Sequence, residues 1–368
     1  MSQYQQVAMA CQGGGSLGAY HIGAYKAIEE AGFVPNTFSG ISIGAFTAAI
    51  LAGNRHEERQ DQLINFWKLI SRPDYIDVLK NNAFLNSWYN NLNAIPISLF
   101  GADTFKQLLN KMSSVQGFTL GQPNFFGPYS GWDAIPLKGN PAATSHYTTA
   151  PLKETLNKLV DFDYINSGAS RLILGATEVA TGKLVFFDST KTKLNADHII
   201  ASGAMPSGFP GIKIDGKLYW DGGIASNTPI EGIYDDAHDT DTLVFMVDLY
   251  NPVGKEPETM DELSIRQQEI TYASRTVKQI EQLQHRHNLS VALGQTLSNT
   301  KMEEIFGASS AMINEMHRTH KFDIVHILYD LDPQEVPSMS CEFSRSSILM
   351  RADHGYQDMK EAITNASW

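Results

Sequence analysis

The 368-residue sequence predicts an α/β fold built around a parallel sheet. Short apolar runs alternate with segments of helical periodicity in the first 54 residues, as in a βαβ unit. Apolar runs of strand length return after residue 170, and a long helical pattern begins at Met260. Apolar residues make up 42% of the chain, which is enough for a sizeable core, and neither an internal repeat nor a clear linker divides it.

The N-terminal unit consists of two strands, each followed by a helix. Residues 6–11 form an apolar run of strand length, and residues 17–31 carry apolar side chains at helical spacing before Gly32. Residues 34–38 are the second strand candidate, and residues 43–51 are small and apolar on nearly every side. This order predicts parallel strands joined by a right-handed crossover, with the second helix buried.

The rest of the chain continues the α/β pattern. Helical periodicity predicts helices over residues 56–70, 103–112, 260 to about 293, and 346–363. Apolar runs predict strands over residues 171–179, 183–187, 243–249 and 322–329. Asp215 and Gly216 indicate the turn of a hairpin within residues 212–220.

Residues 117–150 interrupt this regularity, because Gly and Pro recur there at short intervals. Four aromatic residues lie close together in this stretch: Phe125, Phe126, Tyr129 and Trp132. A loop of this length is usually functional or disordered. The aromatic residues favour a lid or cap that covers a site and contacts lipid. The alternative is that these rings pack back onto the body of the protein and hold a long loop in place.

Charge, cysteine content and hydropathy exclude several classes of protein. The formal net charge is −12, which argues against a general nucleic-acid binder, because such proteins need a basic face. The two cysteines, Cys11 and Cys341, are too few for a disulfide framework or a Cys-rich zinc site. The first residues do not resemble a signal peptide, and no apolar stretch is long enough to span a bilayer. We therefore expect a soluble, cytoplasmic protein.

A G-x-S-x-G pattern follows the second predicted strand, at Gly40, Ser42 and Gly44. Its position between a strand and a helix is typical of a nucleophile elbow, in which a tight turn exposes a serine. The helix that follows would direct its N-terminal N–H groups at a developing oxyanion. The alternative is an ordinary glycine-rich turn in which Ser42 caps the helix.

A glycine-rich loop follows the first predicted strand, at Gly13, Gly14, Gly15 and Gly18. Glycines let the backbone approach an anion closely, with its N–H groups exposed. The spacing also fits the G-x-G-x-x-G pattern of dinucleotide-binding folds, but these expect an acidic residue about 20 positions later, and residues 34–40 contain none. Because parallel strands bring their carboxyl ends to one edge of a sheet, we expect the amides of this loop beside Ser42, as an oxyanion hole.

Ser42 needs a general base, and two kinds of candidate are present. Asp221, followed by Gly222 and Gly223, comes after the predicted strand of residues 217–220, where a carboxylate would lie beside the serine. The alternative for Asp221 is a turn residue, since Asp-Gly is a common turn pair. A Ser-His-Asp triad is the other candidate, but no histidine lies in a recognisable loop motif after a strand. His21, in the first helix, is expected on its solvent or loop face.

Residues 11–18, 40–44 and 221–223 together resemble the three signature blocks of the patatin-like phospholipases in order and spacing. This resemblance covers roughly residues 6–235. It implies a three-layer α/β/α fold with a mostly parallel central sheet. It also implies a Ser42–Asp221 dyad without histidine, metal or cofactor, with the Gly13, Gly14 and Gly15 amides as the oxyanion hole. The implied activity is acyl hydrolysis of phospholipids or other lipid esters.

Two positions depart from the family pattern. Gln12 stands where Asp or Gly usually begins the glycine loop, and Leu17 stands where a basic residue is common. Since a missing cation weakens binding of a phosphate headgroup, the substrate stays open between phospholipids and other esters. Acyl transfer to another acceptor and non-catalytic lipid binding are the alternative functions.

The family resemblance also predicts the organisation of the chain. We expect an acyl hydrolase domain over residues 6–250, a lid or cap over 117–150, and a helix-rich C-terminal extension over 251–368 packed on the same domain. The expected partner is a lipid or ester substrate, with transient contact to a membrane surface and no nucleic acid. The oligomeric state is left open.

Overall fold

The computed structural model describes residues 4–74, 102–235, 240–296 and 320–366. Its strands are β1 (Gln6–Cys11), β2 (Thr37–Ile41), β3 (Gly127–Pro128), β4 (Tyr147–Thr148), β5 (Arg171–Glu178), β6 (Lys183–Asp188), β7 (Ile212–Ile214), β8 (Lys217–Asp221), β9 (Thr242–Asp248) and β10 (Phe322–Leu328). Its α-helices are α1 (Tyr20–Glu30), α2 (Ile43–Ala52), α3 (Arg59–Ile70), α4 (Ala102–Leu120), α5 (Ala150–Leu159), α6 (Phe162–Asn166), α7 (Ala196–Ser202), α8 (Glu231–Tyr234), α9 (Met260–Thr296) and α10 (Arg345–Asn365).

The central sheet has the strand order β10-β9-β1-β2-β5-β8-β7, and β6 pairs with the remaining edge of β5. The pairs from β10 to β5 are all parallel, whereas β6, β8 and β7 add antiparallel pairs at one end. The prediction of a mostly parallel central sheet is therefore confirmed.

Alternate residues of β1 face two different layers. Val7, Met9 and Cys11 belong to a core that also contains residues of α1, α2, α3 and α10. Ala8 and Ala10 belong to a second core with residues of α8 and α9. Because side chains alternate across a strand, the apolar run of β1 supplies both faces of the sheet. The predicted three-layer α/β/α arrangement is confirmed.

The C-terminal helix α10 packs closely along α1, and glycines at the crossing allow this approach. A Cβ added to Gly23 would lie 1.7 Å from the carbonyl oxygen of Ala352, and one added to Gly355 would lie 2.0 Å from that of Tyr20. Gly355 therefore serves helix packing and does not interrupt α10. The N-terminal and C-terminal parts of the chain share one core along this contact.

Element boundaries differ from the predictions in three places. β2 begins at Thr37 and not at residue 34, because its pairing with β1 starts at Ala8 opposite Thr37 and Val34 is exposed. A 3-10 turn over Gly15–Ala19 precedes α1. The predicted helix of residues 103–112 extends to Leu120 in α4, past Gly117, whose missing side chain lets the helix lie against the carbonyl of Cys341.

The irregular stretch after α4 contains both buried and exposed aromatic rings. Phe125 and Phe126 are 6% and 7% exposed and pack against Phe209, so these two rings follow the packing alternative. Trp132, in contrast, is 67% exposed. The stretch leaves the body of the protein at β3 and returns at β4, and these two short strands pair with each other.

Candidate active site

Ser42 lies in a strained turn between β2 and α2. Its φ of 56° and ψ of −126° are unusual for a residue other than glycine, which is the backbone signature of a nucleophile elbow. A Cβ on Gly40 would lie 2.2 Å from the carbonyl oxygen of Gly44, and one on Gly44 would lie 2.0 Å from that of Cys11. The backbone N–H of Ser42 donates to the carbonyl and the hydroxyl of Ser202, at 3.1 Å each. The G-x-S-x-G glycines are therefore required by contact distances.

The glycine loop lies beside Ser42, as the parallel pairing of β1 with β2 leads one to expect. A Cβ on Gly13 would lie 2.8 Å from the Cβ of Ser42, and one on Gly18 would lie 2.8 Å from the side chain of Ile43. Asn227 holds the Gly13 backbone on both sides: Gly13 N–H donates to Asn227 Oδ1 at 3.0 Å, and Asn227 Nδ2 donates to Gly13 O at 2.9 Å. No motif in the sequence pointed to Asn227.

This clamp engages one of the three amides that the sequence predicts for an oxyanion hole. The N–H of Gly13 is engaged by Asn227, so it differs from those of Gly14 and Gly15, which donate to no acceptor within the described part of the chain. Gly15 has a φ of +60°, and a Cβ there would lie 2.3 Å from the carbonyl oxygen of Ser340. The two available amides of the loop therefore belong to Gly14 and Gly15.

The register of the sheet brings Ser42 and Asp221 to one place. Ile41 of β2 is opposite Gly175 of β5, and Asp221 of β8 is opposite the next residue, Ala176. Since β2 runs parallel to β5 and β8 runs antiparallel, the carboxyl ends of β2 and β8 point toward each other. A Cβ on Gly222 would lie 2.5 Å from the carbonyl oxygen of Gly175, so this junction requires glycine after Asp221.

The carboxyl group of Asp221 is buried, and none of the residues that the structure describes gives it a cationic partner. Its side chain is 1% exposed, and Oδ1 accepts a hydrogen bond of 2.8 Å from the N–H of Gly223. Oδ2 is buried and accepts no hydrogen bond from the described residues. Burial raises the pKa of Asp221 to about 6, and the Ser42 hydroxyl and the Gly223 N–H oppose this rise. Such a carboxyl group is suited to accept a proton near neutral pH.

A cavity of about 390 Å³ opens above these residues. Ser42, Asp221 and the glycines of the loop line it, together with nine aromatic side chains: Phe46, Phe118, Phe125, Phe126, Tyr147, Phe209, Tyr250, Tyr272 and Phe343. The C-terminal part of the chain also contributes Ser340 and Cys341. No pattern in the sequence predicted this contribution.

Histidine does not take part in this arrangement within the described residues, since none lines the cavity. The expectation for His21 was wrong: it is fully buried, and its Nδ1 lies 3.2 Å from the hydroxyl of Thr47. Burial lowers the pKa of His21 to about 3. His21 therefore faces α2, which carries Thr47, and not solvent.

Comparisons with known proteins agree with the three motifs. A family profile described as Patatin-like phospholipase matches residues 9–234, and a second, described as Patatin phospholipase, matches residues 270–368. Together, the α/β/α fold and the serine elbow beside a glycine loop define the class. The chain belongs to the patatin-like phospholipase family.

Individual relatives share only part of the chain. The human "Patatin-like phospholipase domain-containing protein 6" is 41% identical over 61 residues, which are 17% of this chain and 4% of that protein. "Triacylglycerol lipase 5" of Saccharomyces cerevisiae is 25% identical over 134 residues, which are 33% of this chain and 18% of the relative. This chain therefore spans less than a fifth of the length of either relative.

Among solved structures, VipD from Legionella pneumophila is similar, with a TM-score of 0.40 and 17% identity over 99% of this chain and 67% of that one. ExoU from Pseudomonas aeruginosa, solved in complex with SpcU, has a TM-score of 0.29 and 20% identity over 83% of this chain and 59% of that one. In the described ranges, no helix combines the length and hydropathy needed to cross a membrane.

Proposed function

We propose that this protein is a serine-dependent lipid acyl hydrolase that uses Ser42 as nucleophile and Asp221 as general base. The observation that carries the proposal is the presence, in one cavity, of a serine in a strained elbow and a buried carboxyl group that has no cationic partner in the described part of the chain. A structural aspartate of this burial would be expected to have a cationic partner. Among the described residues no histidine lines the cavity, which supports a dyad over a triad.

In the proposed reaction, Asp221 accepts the hydroxyl proton of Ser42 as Oγ attacks the ester carbonyl. The N–H groups of Gly14 and Gly15 donate to the oxyanion of the tetrahedral intermediate. Loss of the alcohol, which takes the proton back from Asp221, leaves an acyl group on Ser42. A water molecule then attacks this ester with Asp221 again as base, and the acid is released.

The cavity wall favours a substrate whose reacting end carries no negative charge. Aromatic side chains suit an acyl chain, and in the described part of the chain no Lys, Arg or His lines the cavity. Leu17, at the position where the family often has a basic residue, is fully buried. An uncharged acyl ester therefore fits better than a phospholipid, and a p-nitrophenyl ester series beside a phospholipid panel tests this order of preference.

The direct test of the nucleophile is Ser42→Ala, assayed with a fluorophosphonate label and a short p-nitrophenyl ester. Label incorporation and hydrolysis should both disappear, since loss of a nucleophile removes several decades of rate. Ser207→Gly is the matched control, because Ser207 lines the same cavity and its φ of 65° suits glycine. Residual hydrolysis above about a tenth of the wild-type rate in Ser42→Ala would contradict the assignment.

We also propose that the loop between β3 and β4 contacts the lipid surface. Both ends of this loop lie at the cavity, because Phe126 and Tyr147 line it, and the tip carries Trp132 and Leu137, which are 67% and 51% exposed. Aromatic side chains bind favourably at a membrane–water boundary.

Trp132→Ser combined with Leu137→Ser tests this surface. The double variant should bind phosphatidylcholine vesicles more weakly and lose activity on emulsified long-chain esters, while it hydrolyses a soluble short ester as before. Val253→Ser is the control, since Val253 is 77% exposed outside this loop. Unchanged vesicle binding of the double variant would exclude the loop from lipid contact.

A further inference from the structure

A buried arginine of α10, Arg351, lies beside the glycine loop. Arg351 is fully buried and forms a two-pronged ion pair with Glu335, in which Nε and Nη2 each donate to a carboxylate oxygen at 2.7 Å. Its Nη1 donates to the carbonyl oxygen of Glu342 at 3.0 Å. Glu335 also accepts a hydrogen bond from the hydroxyl of Tyr329 at 3.0 Å. These contacts fix the guanidinium group in one orientation.

The remaining nitrogen of this guanidinium group, Nη1, also contacts the glycine loop. Nη1 of Arg351 donates to the hydroxyl of Ser16 at 2.8 Å, and Ser16, which follows Gly15 in the chain, is fully buried. The Ser16 hydroxyl in turn donates to the carbonyl oxygen of Met339. Because Gly15 also lies against the carbonyl of Ser340, the loop is held in place by the segment that precedes α10.

The guanidinium group of Arg351 stays charged over the pH range in which the enzyme would work. Burial alone lowers the pKa of Arg351, but Glu335 and Glu342 outweigh burial, and the net effect is a raised pKa. A charged guanidinium group is a fixed donor with a planar geometry. Arg351 therefore donates the same hydrogen bond to Ser16 whether Asp221 is protonated or ionised.

We propose that Arg351 is a positioning residue for the oxyanion hole, acting through Ser16 to hold the amides of Gly14 and Gly15 toward the reacting carbonyl. This inference rests on the proposed function. Oxyanion donors stabilise the transition state only if they are preorganised. Arg351 can therefore raise kcat by holding the loop through Ser16, without itself contacting the substrate. The C-terminal part of the chain would then be necessary for catalysis although it supplies neither Ser42 nor Asp221.

Ser16→Ala is the decisive variant, because it removes one hydroxyl and leaves the ion pair of Arg351 and Glu335 intact. Ser347→Ala is the matched control. Ser347 is 1% exposed, it lies on α10 as Arg351 does, and its hydroxyl accepts a hydrogen bond from Ser344. With a soluble p-nitrophenyl ester, Ser16→Ala should lower kcat about tenfold, less than the loss of a whole oxyanion donor, with KM unchanged. Inhibition by a trifluoromethyl ketone, which forms an oxyanion on the serine, should weaken by the same factor.

The melting temperatures of Ser16→Ala and Ser347→Ala are measured beside these assays. Equal kcat and equal ketone inhibition in Ser16→Ala and wild type would overturn the inference, and so would an equal loss in Ser347→Ala. An inactive wild-type protein would instead contradict the proposed function. Arg351→Lys, if it folds, should reduce kcat at unchanged KM, and adding Ser16→Ala to it should cause little further loss, because both changes break one connection. If Arg351→Lys does not fold, Ser16→Ala decides alone.

Discussion

Two buried aspartates end strands of the same sheet, and they differ in every partner. Asp188 ends β6 and Asp221 ends β8, and both strands pair with β5. Asp188 accepts hydrogen bonds from the guanidinium group of Arg171 and from the N–H and hydroxyl of Thr190. Asp221 accepts one from Gly223, the Ser42 hydroxyl also acts on it, and it is paired with no cation among the described residues.

The pKa values of the two groups move in opposite directions as a result. Burial raises the pKa of each carboxyl group, but for Asp188 the hydrogen bonds from Arg171 and Thr190 outweigh burial and the pKa is lowered. For Asp221 burial prevails and the pKa is raised to about 6. One fold thus contains a carboxylate that supports structure and a carboxyl group suited to proton transfer. The presence or absence of a cationic partner sets the pKa that distinguishes them.

The largest expected difference between the two aspartates is in activity. Asp221→Asn should reduce kcat/KM for a short ester by about a thousand-fold, because the amide cannot accept the Ser42 proton. Asp188→Asn should keep activity within about threefold of wild type, measured at a temperature where it is folded. Comparable losses in the two variants would remove the distinction between them.

The pH dependence of hydrolysis is the next largest effect. Since the base must be deprotonated, kcat/KM should fall below pH about 6 and decrease about tenfold per pH unit, roughly a hundred-fold by pH 4. A histidine base has a similar pKa, so the profile is repeated at several temperatures. A carboxyl pKa barely changes with temperature, whereas an imidazole pKa falls clearly on warming, and the latter result would indicate a histidine.

The Asp221→Asn variant should also be more stable than wild type at pH 8. The folded protein keeps the Asp221 proton up to pH about 6, whereas the unfolded chain loses it near 3.8. Folded protein therefore binds more protons in that window, so stability falls as pH rises through it. Removing the ionisable group should raise the free energy of unfolding by up to about 3 kcal/mol at pH 8 and leave it unchanged below pH about 4. Urea denaturation at both pH values measures this difference.

The smallest effect is expected for Asp188→Asn, which should lower the free energy of unfolding, whereas Asp221→Asn should raise it. This change leaves Arg171 without its carboxylate partner and should lower the free energy of unfolding by about 2 kcal/mol at pH 7, less than for a fully buried pair because the Arg171 side chain is 17% exposed. The loss should shrink as pH falls, since protonation removes the same charge from wild-type Asp188. Urea denaturation at pH 7 and pH 3 gives the comparison, and a stabilised Asp188→Asn protein would contradict the structural role.

Local patterns predicted much of the fold and the candidate site. The elbow glycines were predictable because Gly40 and Gly44 lie within 2.2 Å of backbone atoms once a Cβ is added, and such contacts leave a glycine pattern in the sequence. The strands β1, β5 and β9 were predictable from apolar runs, because they are buried on both faces. The start of β2 was missed because its register with β1 is a tertiary property.

Residues that act across long sequence separations were not predictable. Asn227 clamps Gly13 across 214 positions, and Arg351 reaches Ser16 across 335. Neither contact requires a special residue beside it, so neither leaves a local pattern. The burial of Phe125 and Phe126 was open for the same reason, since their partners Phe46, Phe209 and Phe343 lie on other elements.

The sequence by itself determined the α/β class, the family and the identity of the two glycine motifs, because tight backbone turns restrict residue type at the position where they occur. Only the tertiary structure decided how the chemistry is arranged. Because β8 runs antiparallel to β5, Asp221 lies opposite Ala176. The preceding residue of β5, Gly175, lies opposite Ile41, which immediately precedes Ser42. Burial, and not the Asp-Gly pair in the sequence, then raises the pKa of that carboxyl group, because the charged form loses water and gains no counter-charge from the residues described.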